Sequence, residues 1–171
     1  MLLYQSHYTN KNIINDTKPI LQKLISNNTT IVCIGSDKII LDCLGPLVGT
    51  MLKTKTNLNV IGDLFNPITT KNISTIYNLN QQNLLIIDCC INTDNNNINN
   101  LYIYDEPAFP GGLKNNKLPV GSCKILASVD HINNSSIYTH CTSLSHIYSM
   151  ATIITNIIIN SIEDISITTD M

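Results

Sequence analysis

Ile20, Leu21, Leu24 and Ile25 recur at helical spacing after a polar lead, and Asn27-Asn28 end the pattern, so a short amphipathic helix is predicted there. The β-branched run 30–34 (Thr-Ile-Val-Cys-Ile) stops at Gly35 and has the look of a strand buried on both faces, as in a parallel sheet. From Asp42 to Lys53 the stripe Leu44, Leu47, Val48, Met51 predicts a second helix. Pro46 falls in its first turn, where a missing N–H does no harm.

The alternation then repeats. A short strand is expected at residues 59–61, a Pro67 loop, a helix carrying Ile73, Ile76 and Leu79, and a strong strand at 84–88 that ends on Asp88. Residues 101–104 and 123–129 read as further strands. The loop between them holds Pro107, Pro110, Gly111, Gly112, Pro119 and Gly121, and serves either as a lid or as a rigid turn cluster. A closing helix is expected from His140 to about Ser161, where length outweighs the strand-like pairs Ile153-Ile154 and Ile157-Ile158. Alternating β and α units without internal repeat or linker predict one domain over residues 1–171, an α/β fold. It should be a three-layer α/β/α sandwich with a mostly parallel sheet.

Composition narrows the function classes. All 10 basic residues are lysine, scattered singly, against 12 acids, for a net charge of -2. With no arginine, the bidentate phosphate contacts typical of nucleic-acid binding are missing, and nucleic acid is set aside as a partner. Six cysteines show neither the dense spacing of a disulfide scaffold nor a CxxC pair, so reduced thiols are expected. The start of the chain lacks a basic segment followed by an apolar run, and no stretch reaches the ~18 apolar residues of a membrane span. A soluble cytoplasmic protein is expected. The excess of asparagine and isoleucine carries little functional information.

In such sheets ligands gather at the carboxyl ends of the strands, which points to the loops after Ile34 and Ile87. Asp37 and Asp42 lie in the first and Asp88 at the second, so three carboxylates can converge. Two acids a few ångströms apart cannot both ionise cheaply. One then keeps a proton while the other stays a base, a division of labour suited to activating water against an amide. The same residues also read as a helix N-cap, a turn residue and a strand-end cap, and spacing alone leaves both readings open. Vicinal Cys89 and Cys90 are expected to pack rather than react, since adjacent side chains of a strand point oppositely and no base is placed for either. Cys33 reads as a small buried hydrophobe.

Several segments fall in a recognisable order: Ile31-Val32-Cys33-Ile34-Gly35-Ser36-Asp37, Asp42-Cys43-Leu44-Gly45-Pro46-Leu47-Val48-Gly49, Ile61-Gly62-Asp63-Leu64-Phe65-Asn66-Pro67, Ile87-Asp88-Cys89-Cys90, and Pro110-Gly111-Gly112 followed by Lys117-Leu118-Pro119-Val120-Gly121. Over about residues 30–129 this resembles the sporulation protein YyaC family, which is similar to the spore germination protease and more distantly to hydrogenase maturation endopeptidases. The resemblance implies a phosphorylase/hydrolase-like α/β fold and an atypical aspartic peptidase site. Asp42 and Asp88 match the two aspartates on which the germination protease depends, and Asp37 matches a further family acid. Gly111, Gly112 and Lys117 are the substrate-binding candidates. The implied substrate is a peptide or small protein, such as a small acid-soluble spore protein of the forespore or spore core, and a homo-oligomer is compatible with this.

Three departures qualify the expectation. Ile39-Ile40-Leu41 replaces a polar, glycine-containing stretch before the first aspartate, and Thr139-His140-Cys141-Thr142-Ser143-Leu144-Ser145-His146 replaces a segment with arginine. A homologue that binds a spore protein without cutting it is therefore the alternative. A metal-assisted endopeptidase is the other, because the hydrogenase enzymes use two acids and a histidine to read nickel. Here Phe109 stands at the expected ligand position, and His140 and His146, six apart, fall on different helix faces; His131 follows a strand and could approach the site, but a lone loop histidine is more often a solvated or capping residue. No cofactor or metal is expected.

Overall fold

The computed structural model describes residues 1–92, 97–110, 118–131 and 143–167, with the side chains of Asn92, Asp130, His131 and 163–167 left aside. Gly111, Gly112, Lys117 and the segment 139–142 lie outside the described residues. Six strands form one sheet: β1 (Leu2–His7), β2 (Thr30–Cys33), β3 (Val60–Ile61), β4 (Leu84–Asn92), β5 (Asn100–Tyr104) and β6 (Cys123–His131), in the order β1-β5-β6-β4-β2-β3. The β2–β3, β2–β4 and β4–β6 pairings are parallel, and β1–β5 and β5–β6 are antiparallel.

Alternate residues of the central strands enter two different cores, as the two-residue period of a strand requires. Ile31, Cys33, Leu85, Ile87, Ile125 and Ala127 face one way, into a core shared with helices α1 (Ile13–Leu24), α2 (Leu44–Lys55) and α3 (Leu144–Ile167). All three helices pack on this side, α1 and α2 each against α3. Val32, Ile34, Leu84 and Ile86 face the other way, into a thinner layer closed by Ile73, Ile76, Ala108 and Val120. The result is a three-layer α/β arrangement with one thick and one thin outer layer. On α3, Ile147, Met150, Ala151, Ile154, Ile157 and Ile158 form a buried stripe. Each large side chain hidden this way contributes about 1.5–3 kcal/mol.

Three elements differ from the sequence expectation. The polar lead includes β1, a half-exposed edge strand held by its main-chain ladder to β5 rather than by an apolar alternation. The stretch around Ile73, Ile76 and Leu79 is a 3-10 helix over Ile73–Asn78. A spacing of three is the period of a 3-10 turn, so the two isoleucines eclipse on one side and both are buried. The strand at Leu84 continues past Asp88 to Asn92, because β6 pairs alongside it up to His131.

The chain leaves β2 toward β3 on one side, and β4 toward β5 and β6 on the other. A crevice opens at the carboxyl ends of two adjacent parallel strands whose connections diverge in this way. Gly45 and Gly49 let α2 lie directly on this edge: a Cβ would come 2.0 Å from the Ile34 carbonyl oxygen at Gly45 and 1.8 Å from that of Gly62 at Gly49. Among the described residues no helix is long and apolar enough to cross a membrane.

Candidate active site

Cys33 pairs with Ile87, and the Ile34 N–H donates to the Ile87 carbonyl at 2.8 Å, after which β2 ends. Asp88 therefore still pairs with Leu126 on the β6 side but has no neighbour on the other. That is why it opens into the crevice although it lies inside a strand. Its expected place at a strand tip is corrected to the point where one flanking strand stops.

Asp42 reaches the same place from the loop after β2. Gly35 adopts φ +145°, a conformation that favours glycine, and its N–H donates to the Ile68 carbonyl at 2.9 Å. The Ser36 N–H then donates to the Asp42 carbonyl at 2.9 Å, closing the loop on itself. Leu41 is buried and anchors the 3-10 turn Ile40–Asp42, which runs straight into α2. The residue preceding α2 is Cys43, with no side-chain cap bond, so the Asp42 carboxylate is not used as an N-cap.

One carboxylate oxygen of Asp42, one of Asp88 and Cys89 Sγ all lie within 4.8 Å of one another. The Cys89 N–H donates to Asp88 Oδ1 at 2.8 Å, and the Cys89 thiol donates to Asp42 Oδ1 at 3.6 Å. No lysine pairs with either acid among the described residues. The pair sits in a crevice of about 1310 Å³ whose wall includes the apolar side chains of Ile39 and Phe109, 56% and 57% exposed.

The electrostatics follow from burial without a cation. Burial pushes the Asp88 carboxyl up to about 7, against the pull of the Cys89 N–H and with further help from the Asp42 charge. Burial also raises Asp42, and the Cys89 thiol draws it part of the way back. Cys89 itself is driven well above the ordinary thiol range by burial and by the two acids, and Cys90 to about 11 by burial and Asp88. Both cysteines therefore remain thiols at neutral pH and are poor nucleophiles. Asp88 thus titrates near neutrality beside Asp42, whose charge adds to the rise of the Asp88 carboxyl.

The other candidates are placed differently. Asp37 is exposed and lines the crevice apart from the clustered atoms. Gly111, Gly112 and Lys117 fall outside the described residues. His131 closes β6, and His146 is exposed on α3. The reading of Cys89 as packing only is corrected: it packs partly against the helix-side core, yet its thiol also faces Asp42. The signal was available in the alternation. Odd-numbered β4 residues point to the helix side, and Asp42, at the entrance to a helix, arrives from that side. The two carboxylates and the thiol also form a donor set of the kind that can hold a divalent cation.

The chain is 33% identical to the uncharacterized protein YyaC of Bacillus subtilis (strain 168) over 106 residues, 58% of this chain and 51% of that protein, so it spans about half of its relative's length. A hydrogenase maturation protease, HycI from Thermococcus kodakarensis KOD1, superposes with a TM-score of 0.46 at 18% identity over 81% of this chain and 97% of that one. The family described as "Protein of unknown function (DUF1256)" matches residues 5–157, a span holding Asp42, Asp88 and Cys89 and most of the sheet, and the chain belongs to that family.

Proposed function

We propose that the chain is an aspartate-dependent peptidase in which Asp42 acts as the base that polarises a water and Asp88 as the acid that protonates the leaving amine. One observation carries this reading: two carboxyls meet in an open crevice, neither of them ion-paired among the described residues, and Asp88 is pushed up to about 7. Such a pair offers a base and an acid at the same pH, which amide hydrolysis requires. The resemblance of the surrounding motifs to the germination protease supports a peptide bond as target and a small acid-soluble spore protein in the forespore as substrate.

Incubation with small acid-soluble spore proteins, read by mass spectrometry, tests the proposal. Cleavage is expected in the unaltered chain and should fall at least about 100-fold in both Asp42→Asn and Asp88→Asn. Its rate should decline as pH rises through about 7, where Asp88 loses its proton, and again in acid as Asp42 gains one. Cleavage that persists in both variants overturns the reading. A second reading, a protein that binds a spore protein without cutting it, is favoured by the apolar wall at Ile39 and Phe109 and by the absence of arginine. Retention of intact substrate by the unaltered chain and by both variants alike would establish it.

A further inference from the structure

The sheet has an open edge in its interior as well as the outer edges at β1 and β3. The Ile34 N–H donates to the Ile87 carbonyl, and β2 then ends, because Gly35 turns the chain aside at φ +145° and gives its N–H to the Ile68 carbonyl. Strand β4 runs on to Asn92 with β6 along its far side. The peptide groups of a strand point alternately to its two sides, so the C=O of Cys89 and the N–H and C=O of Ile91 face the space beyond the end of β2. Among the described residues no strand pairs with β4 there, and the Cys89 N–H turns instead to Asp88 Oδ1 at 2.8 Å. We propose that this edge is a peptide-binding site: an extended segment of a substrate protein pairs with Cys89 and Ile91 as an added strand, in line with β2, and so passes the two aspartates. The inference deepens the peptidase reading by stating how the substrate is held, and it rests on that reading only for the cut.

Three observations favour a peptide main chain as the occupant. The edge offers two carbonyl oxygens and one N–H, a pattern of partial charges complementary to the alternating N–H and C=O groups of an extended chain. The wall across the gap does not compete for them, because the turn at 69–73 closes on itself. There the Thr69 N–H donates to Asn72 Oδ1 at 2.8 Å, and the N–H groups of Asn72 and Ile73 donate to the Thr69 carbonyl at 3.1 and 2.9 Å. The crevice that holds both walls, about 1310 Å³, exceeds the roughly 300–1,000 Å³ of small-molecule sites. Ile91, Ile39 and Phe109, all exposed, supply apolar surface for side chains of the added strand, whose main chain gives affinity while the side chains give specificity.

The probe is a phage-displayed library of random twelve-residue peptides, selected on the full chain and in parallel on Asp42→Asn, which retains peptides that the unaltered chain would cut. Enriched peptides are then synthesised with each backbone nitrogen methylated in turn. Methylation at two positions, two residues apart, should each weaken binding by about 5-fold or more, because those N–H groups meet the Cys89 and Ile91 carbonyls, while the position between them should tolerate it. In hydrogen-exchange NMR of the full chain, a saturating peptide should slow the Ile91 amide by at least about 10-fold. Ile91→Pro removes that N–H and should weaken binding by about 5-fold, whereas Ile91→Val should leave it unchanged. Equal binding by the proline variant overturns the proposal. So do a library that yields no enriched peptide on either protein, a methylation scan without the two-residue period, and Ile91 exchange that ignores the peptide, whether or not the proline variant folds. Peptides that bind in this way and emerge uncut from the unaltered chain would end the peptidase reading and keep this one, while cleavage without the pattern would do the reverse.

Discussion

Asp63 and Asp88 both lie at the carboxyl side of the sheet, in two segments that resemble the same family, yet they are treated in opposite ways. Asp63, 5% exposed, accepts the N–H groups of Phe65 at 2.8 Å and Asn66 at 2.7 Å and pairs with the Lys53 ammonium. Burial pushes its carboxyl up, but Lys53 and the two N–H groups together outweigh that and hold it below the usual range. Among the described residues Asp88 accepts one N–H and pairs with no cation, and the Asp42 charge stands nearby, so burial prevails. The comparison separates an acid that ties a loop together from one left with a proton to give. A carboxyl kept in that second condition destabilises the fold, as functional sites commonly do.

The largest expected effect is on that cost. The Asp88 carboxyl is held above its unfolded value of about 4, so the penalty is absent below pH 4, grows as pH rises, and is complete above about 7. Asp88→Asn should therefore be more stable than the unaltered chain by up to roughly 3 kcal/mol at pH 8, and close to it at pH 4, in urea unfolding at the two pH values. Equal stability of the two proteins at pH 8 would show that the buried Asp88 charge costs the fold nothing.

Asp63→Ala should move stability in the opposite direction, by about 2 kcal/mol at pH 7, because two N–H groups and an ammonium lose their acceptor. The Asp63 carboxyl is held below its unfolded value, so its contribution is present above about pH 4 and disappears as pH falls through the lowered folded value. The gap between variant and unaltered chain should close in acid, as thermal melts at pH 7 and pH 3 would record. The smallest effect belongs to Asp37→Asn. On an exposed loop, away from the clustered atoms, it should change stability by no more than about 0.5 kcal/mol.

Helix α2, strand β2 and the core of β4 were readable because their apolar spacing is set by local geometry. A parallel pairing of β2 with β4 then suffices to bring Asp42 and Asp88 to one end of the sheet. Strand β1 left no such trace, since a half-exposed edge strand draws on a main-chain ladder that any sequence can form. The full reach of β4 was hidden for a similar reason: residues beyond Asp88 are ordered by β6, which enters some thirty residues later in the chain. Cys89 was missed because the sequence places it beside Asp88, whereas its chemistry comes from Asp42, 47 residues away.

The alternation of strands and helices and the acids after two of the strands are encoded locally, because apolar periodicity and turn residues act over a few positions. That Lys53 neutralises Asp63 and not Asp88, and that a thiol sits within 4.8 Å of both other carboxyls, arises on folding. Burial and charge pairing depend on distances through space, and residues far apart in the chain set those distances only once the sheet has assembled.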